Sequence, residues 1–121
     1  MVVKLSYVIL FTLLLSVTLN ALYLSRFTEK LYTISNETEV GDIEDFKETF
    51  EKIKKTYNNN EIFVSLSVSH EDLTSIKEAL AEIDGAIKAN DKNAVIIAKS
   101  RFESAVLHLG QLSALNIESI F

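Results

Sequence analysis

Residues 5–25, LSYVILFTLLLSVTLNALYLS, contain no charged side chain. That single fact constrains the chain more than any other. At about 1.5 Å of rise per residue, the twenty positions from 5 to 24 form a helix about 30 Å long, the thickness of a bilayer's hydrocarbon core. A core helix of a soluble protein carries a charged stripe on its wet face, and this segment has none. A signal peptide has a shorter apolar region, roughly 7–15 residues, and ends at a small-x-small cleavage site. Here Leu19 stands two residues before Ala21, and Tyr23 two before Ser25. The segment therefore reads as an uncleaved signal anchor. Lys4 and the terminal amine precede it, and a short positive N-terminus ahead of a first span stays in the cytoplasm. The expectation is a single-pass cell-membrane protein, with residues 1–25 as a transmembrane signal anchor and residues 26–121 as an extracytoplasmic domain.

The anchor has an internal pattern. Thr12, Ser16 and Asn20 recur every four residues and share one helix face. Small and polar side chains at that spacing let membrane helices approach closely and hydrogen-bond across their interface. They are the expected partner-binding residues, toward a membrane-protein partner or a second copy in a homo-oligomer. The competing reading is that the hydroxyls bond back to their own helix.

Beyond the anchor the pattern is helical. The chain has no proline and three glycines, and both residue types weaken helix interiors. Phe27, Leu31 and Ile34 carry the apolar periodicity out of the anchor until the turn chemistry of Asn36, Gly41 and Asp42. Ile43, Phe46, Phe50, Ile53 and Tyr57 step by three and four, with Asp42 as cap. Leu73, Ile76, Leu80, Ile83 and Ile87 repeat that spacing after a cap at Ser69 or His70. Within this helix Gly85 is expected to permit close packing. A fourth helix starts at Asn90 or Asp91, its face including Ala94 or Val95, Ala98, Phe102, Ala105, Leu109 and Leu112. The segment NNNEIFVSLSVSH is ambiguous: Val64, Leu66 and Val68 alternate with serines as in a strand, yet no partner strand exists. It is a continuation of the second helix to His70 or an extended connector. The fold class expected is all-α, an N-terminal transmembrane helix continuing into a small antiparallel helical bundle with two helical hairpins.

Several functions are disfavoured by composition. Lys4 is the only charge before Arg26, and the chain's net charge is −5. The domain past the anchor is thus more acidic still, which disfavours nucleic acid and flat adsorption to anionic lipid. The absence of cysteine excludes disulfides, thiol catalysis, cysteine-ligated zinc and a lipidated cysteine. Glu44, Asp45, Glu48 and Glu51 interleave with Lys47, Lys52, Lys54 and Lys55, a solvated face laced with ion pairs.

With these features in place, the chain resembles the short membrane-anchored bacterial proteins called domain of unknown function 4363. The resemblance rests on the single N-terminal span, Tyr57 and Phe63 on an aromatic-marked helix, then SHEDLTSIKEAL, FESAVLHLGQL and the terminal LNIESIF. The family usually has Trp where Tyr57 and Phe63 stand, Asp-His at Ser69-His70, and Asn-Ile-Phe at Ser119-Ile120-Phe121. The resemblance implies that the aromatic helix runs unbroken to the histidine, favouring helix for residues 61–68. It implies no assigned activity, and an accessory role at a membrane.

No phosphate-binding glycine loop, Gly-x-Ser-x-Gly elbow or His-Glu-x-x-His sequence is present. The chain is expected not to be an enzyme and to need no cofactor. His70 and His108 alone suit proton chemistry near neutrality. A hairpin about Asn90 would bring them to one end, as weak candidates for a metal or pH-responsive site; a capping His70 and an interfacial His108 are the plainer reading. The apolar residues 115–121 are expected to pack on the bundle. The function expected is a non-enzymatic accessory or scaffold protein that works through protein contacts, with the bilayer as its first partner. The alternative is an extracytoplasmic sensing or ligand-binding module.

Overall fold

A computed structural model describes the backbone of residues 2–37 and 40–120, and the side chains of residues 3–37 and 40–112. Four helices follow in order: α1 Val2–Asn36, α2 Ile43–Ser65, α3 His70–Lys88 and α4 Lys92–Ile120. No strand occurs among the described residues. Each helix packs on its chain neighbour, and α4 closes the ring against α1.

The helices begin and end where local chemistry directs. The Glu44 amide donates to Asp42 Oδ1 at 3.1 Å, and the Asp72 amide to Ser69 Oγ at 3.2 Å. The second contact makes Ser69 the cap of α3, with His70 its first helical residue. Between α3 and α4, Asn90 adopts φ 53°, a left-handed conformation that asparagine tolerates. Its amide donates to the Ile87 carbonyl and that of Asp91 to the Ala86 carbonyl, the paired closure of a helix C-terminus. Asp91 then caps α4 through the Ala94 amide at 3.1 Å.

The expected faces meet in the middle. Leu31, Phe46, Ile53, Ile76, Ile83, Val95 and Phe102 are fully buried. Val95 rather than Ala94 faces the core, and Val106, absent from the expected face, joins it. Ala21 and Leu24, from the charge-free stretch, are also buried here, so that stretch and the bundle share one turn of helix.

Two expectations are corrected. A Cβ on Gly85 would meet nothing within 4 Å, so no close packing occurs there; the tight approach is at Gly110, where a Cβ would lie 3.1 Å from Thr28 Oγ1. And α2 does not run unbroken to His70. It ends at Ser65, with Leu66 as its C-cap, because the serines of the alternating run close the helix instead of pairing as a strand. Ser65 Oγ donates to the Ile62 carbonyl at 2.7 Å. The Ser67 and Val68 amides donate to the Val64 carbonyl at 3.0 and 3.1 Å, and Ser67 Oγ lies 3.3 Å from the Phe63 carbonyl. The side-chain packing expected of residues 115–121 lies outside the described residues.

Candidate functional site: the exposed apolar surface of α1 and the α2–α3 corner

The largest uncovered apolar surface belongs to α1. From Val3 to Leu19 its large hydrophobic side chains are all exposed, and none of them is buried by the other described residues. One helix is therefore long and apolar enough to cross a membrane.

Within that surface the three polar positions behave differently. Thr12 Oγ1 donates to the Val8 carbonyl at 2.8 Å, and Thr18 Oγ1 to that of Leu14 at 2.8 Å, satisfying each hydroxyl within the helix. Asn20 is engaged by the bundle: its Oδ1 accepts from Ser67 Oγ at 2.5 Å. Ser16 borders a groove of about 520 Å³ that runs between α1 and the α2–α3 corner, alongside Val17, Asn20, Phe63 and Leu66. Thr12, Ser16 and Asn20 lie along α1, and Asn20, nearest its C-terminal end, meets the chain's own corner.

That corner carries an apolar cluster that sequence reasoning missed. Ile62, Phe63 and Leu66 are 74%, 63% and 81% exposed, which is far outside the core pattern set by Ile53, Tyr57 and Val64. A readable signal existed: continuing the α2 stripe from Tyr57 to Val64 leaves Ile62 and Leu66 on the opposite side and Phe63 on the flank. The corner is pinned to α1 by the Ser67–Asn20 bond, by a Tyr23 hydroxyl donating to Asn60 Oδ1, and by edge contact of the Tyr23 and Phe63 rings, centroids 6.4 Å apart.

The histidines are at α3's first turn and on the facing stretch of α4. His108 Nε2 lies 3.7 Å from Asp72 Oδ1; both His70 and His108 are exposed. Among the described residues no group of three or more His, Asp or Glu side chains is placed to hold a metal ion.

Two other polar features lie inside the bundle. Ser35, fully buried, donates to Glu103 Oε1 at 2.7 Å, and Lys99 Nζ meets the same oxygen at 2.8 Å. This three-residue link fixes the register of α4 on α1. On the other side, a groove of about 310 Å³ between α2 and α3 is bordered by Lys54, Tyr57, Glu61, Lys77 and Asp84. The Tyr57 hydroxyl is buried and has no hydrogen-bond partner among the described residues. Burial first, and the neighbouring Glu61 carboxylate second, push it up to about 12.

A family profile described as Domain of unknown function (DUF4363) matches residues 18–120. Neither a curated protein nor a solved structure matches the chain.

Proposed function

The chain belongs to the DUF4363 family, and from that premise we propose that it is a non-enzymatic, single-pass accessory or scaffold protein. In this reading α1 is a retained signal anchor with Lys4 on the cytoplasmic side. The bundle stands on the extracytoplasmic face, and partners are met through the span and the bundle together. The observation that carries the reading is the sleeve of exposed apolar side chains on α1 below Ala21, on a helix that continues unbroken into the core. A sleeve of that area is tolerated in water only when something apolar surrounds it.

The test is cross-linking in the native membrane, followed by mild-detergent pull-down of the full chain. A Thr12→Leu/Ser16→Leu double variant runs beside it, because it alters the polar face while leaving the Asn20–Ser67 contact in place. The expected result is an alkali-resistant membrane protein with a stoichiometric membrane partner that is lost or depleted in the variant. Recovery of the chain from the alkali-soluble fraction would refute the anchor.

A second reading, a ligand-binding or sensing module, is favoured by one observation: the unpartnered Tyr57 hydroxyl beside a groove with both charge signs. A bound small molecule in purified protein, lost in Tyr57→Phe, would support it.

A further inference from the structure

We infer that the α2–α3 corner is a second membrane contact, in which Ile62, Phe63 and Leu66 insert into the bilayer leaflet beside the outer end of α1. This rests on the reading of α1 as the span and adds a contact that the span alone does not require.

The charge-free stretch of α1 extends to Ser25, and the first charge beyond it is Arg26. The corner is fixed to Asn20 through Ser67 and to Tyr23 through Phe63. Asn20 is four residues below Leu24, about 6 Å along the helix. A bilayer core reaching Leu24 therefore surrounds the corner to a depth of about 6 Å, inside the roughly 5–10 Å layer that interfacial apolar faces occupy.

Chemistry agrees with that depth. The three largest side chains at the corner are apolar and point outward, where the solvent-facing side of α2 elsewhere carries Glu48, Glu51, Lys52 and Lys55. Backbone polar groups are costly in lipid unless satisfied internally. Here the terminal carbonyls of Ile62 and Val64 accept from the Ser65 hydroxyl and from the Ser67 and Val68 amides. Asn20 and Ser67 likewise answer each other. The serine alternation is thus what lets a helix end enter an apolar layer. The flanking charges are acidic or neutralised: Glu61 pairs with Lys77 at 2.6 Å, and Glu71 and Asp72 follow the corner. Insertion therefore depends on apolar contact rather than on anionic lipid.

The test uses the full chain in phosphatidylcholine vesicles whose acyl chains carry bromine at defined depths. The protein has no tryptophan, so each introduced one is a sole reporter. Leu66→Trp reads the corner, Leu14→Trp the middle of the span, and Ile97→Trp the exposed face of α4. The expected result is blue-shifted emission for Leu66→Trp that loses more than half its intensity to shallow bromines. Leu14→Trp is quenched most by deep ones, and Ile97→Trp is unaffected. Leu66→Trp behaving like Ile97→Trp, with Leu14→Trp still quenched, overturns the corner and leaves the span standing. Blue-shifted but unquenched emission at Leu66→Trp also overturns it, because a protein surface then covers the corner. An unquenched Leu14→Trp removes the span and the corner together. A nitroxide on Leu66→Cys, the only thiol in that variant, repeats the depth measurement without an indole's own affinity for interfaces. A label accessible to aqueous quenchers and not to oxygen overturns the proposal.

Discussion

Tyr57 sits on the apolar stripe of α2 with its ring against Phe27, centroids 6.5 Å apart, and its hydroxyl sealed without a partner among the described residues. A buried hydroxyl with no partner costs more than it returns. We predict that Tyr57→Phe leaves stability at pH 7 unchanged or raises it by up to about 1 kcal/mol. A loss larger than that in denaturant titration would mean that the oxygen has a bonding role. The pH dependence has a definite sign. The folded chain holds the phenolic proton more tightly, at about 12 against 10.0. This contribution is complete below pH 10 and is lost as pH rises through about 12. The alkaline limb of the wild-type stability curve should be steeper than that of Tyr57→Phe. The position of Tyr57 was legible in the sequence, because a three-and-four spacing fixes which way a side chain faces. Its solitude was not, because the groups that could have met it lie on other helices. Asn20 shows the same division: its face was readable, but its partner Ser67 is 47 residues away.

At the scale of the element, the glycines of α3 and α4 separate two effects that the sequence cannot distinguish. Gly85 is exposed and has open space where a Cβ would go. Gly85→Ala should therefore stabilise the bundle by about 1 kcal/mol through helix propensity. Gly110 faces Thr28, which is buried and whose hydroxyl donates to the Ser25 carbonyl at 3.0 Å. A methyl group there disturbs a side chain that is already bonded, so Gly110→Ala should lower stability by about 1 kcal/mol despite the same propensity gain. Equal thermal shifts in the two variants would refute the assignment of the close approach. The segment after Tyr57 was harder to read for a physical reason. Alternation of apolar residues with serine is a strand pattern when neighbouring strands supply the hydrogen bonds. With none available, the Ser65 hydroxyl turns back on α2, that of Ser67 reaches Asn20 of α1, and that of Ser69 caps α3.

For the whole molecule, the long apolar helix and the bundle were both legible, because absence of charge over 21 residues and repeated helical spacing are strong local signals. Their overlap was not. Ala21 and Leu24 read as membrane residues and are 4% exposed in the bundle core. A soluble fragment beginning at Arg26 discards them along with Tyr23. We expect it to melt at least about 10 °C below a fragment beginning at Asn20, since a buried leucine contributes roughly 2 kcal/mol and each kcal/mol shifts a domain of this size by about 4–8 °C. Coincident midpoints in calorimetry would show that the core closes without them. The overlap has a mechanical side. A helix without proline or an internal glycine, continuous from Val2 to Asn36, is a stiff lever: its upper arm is cemented into the bundle, and in the proposed anchor its lower arm lies in lipid. Its upper arm, from Ala21 to Asn36, is about 24 Å long, so a 20° change in tilt carries its far end sideways by about 8 Å. In the proposed anchor, whatever alters bilayer thickness or the lean of the lower arm is transmitted, undamped by any hinge in the rod, to the position of the entire bundle.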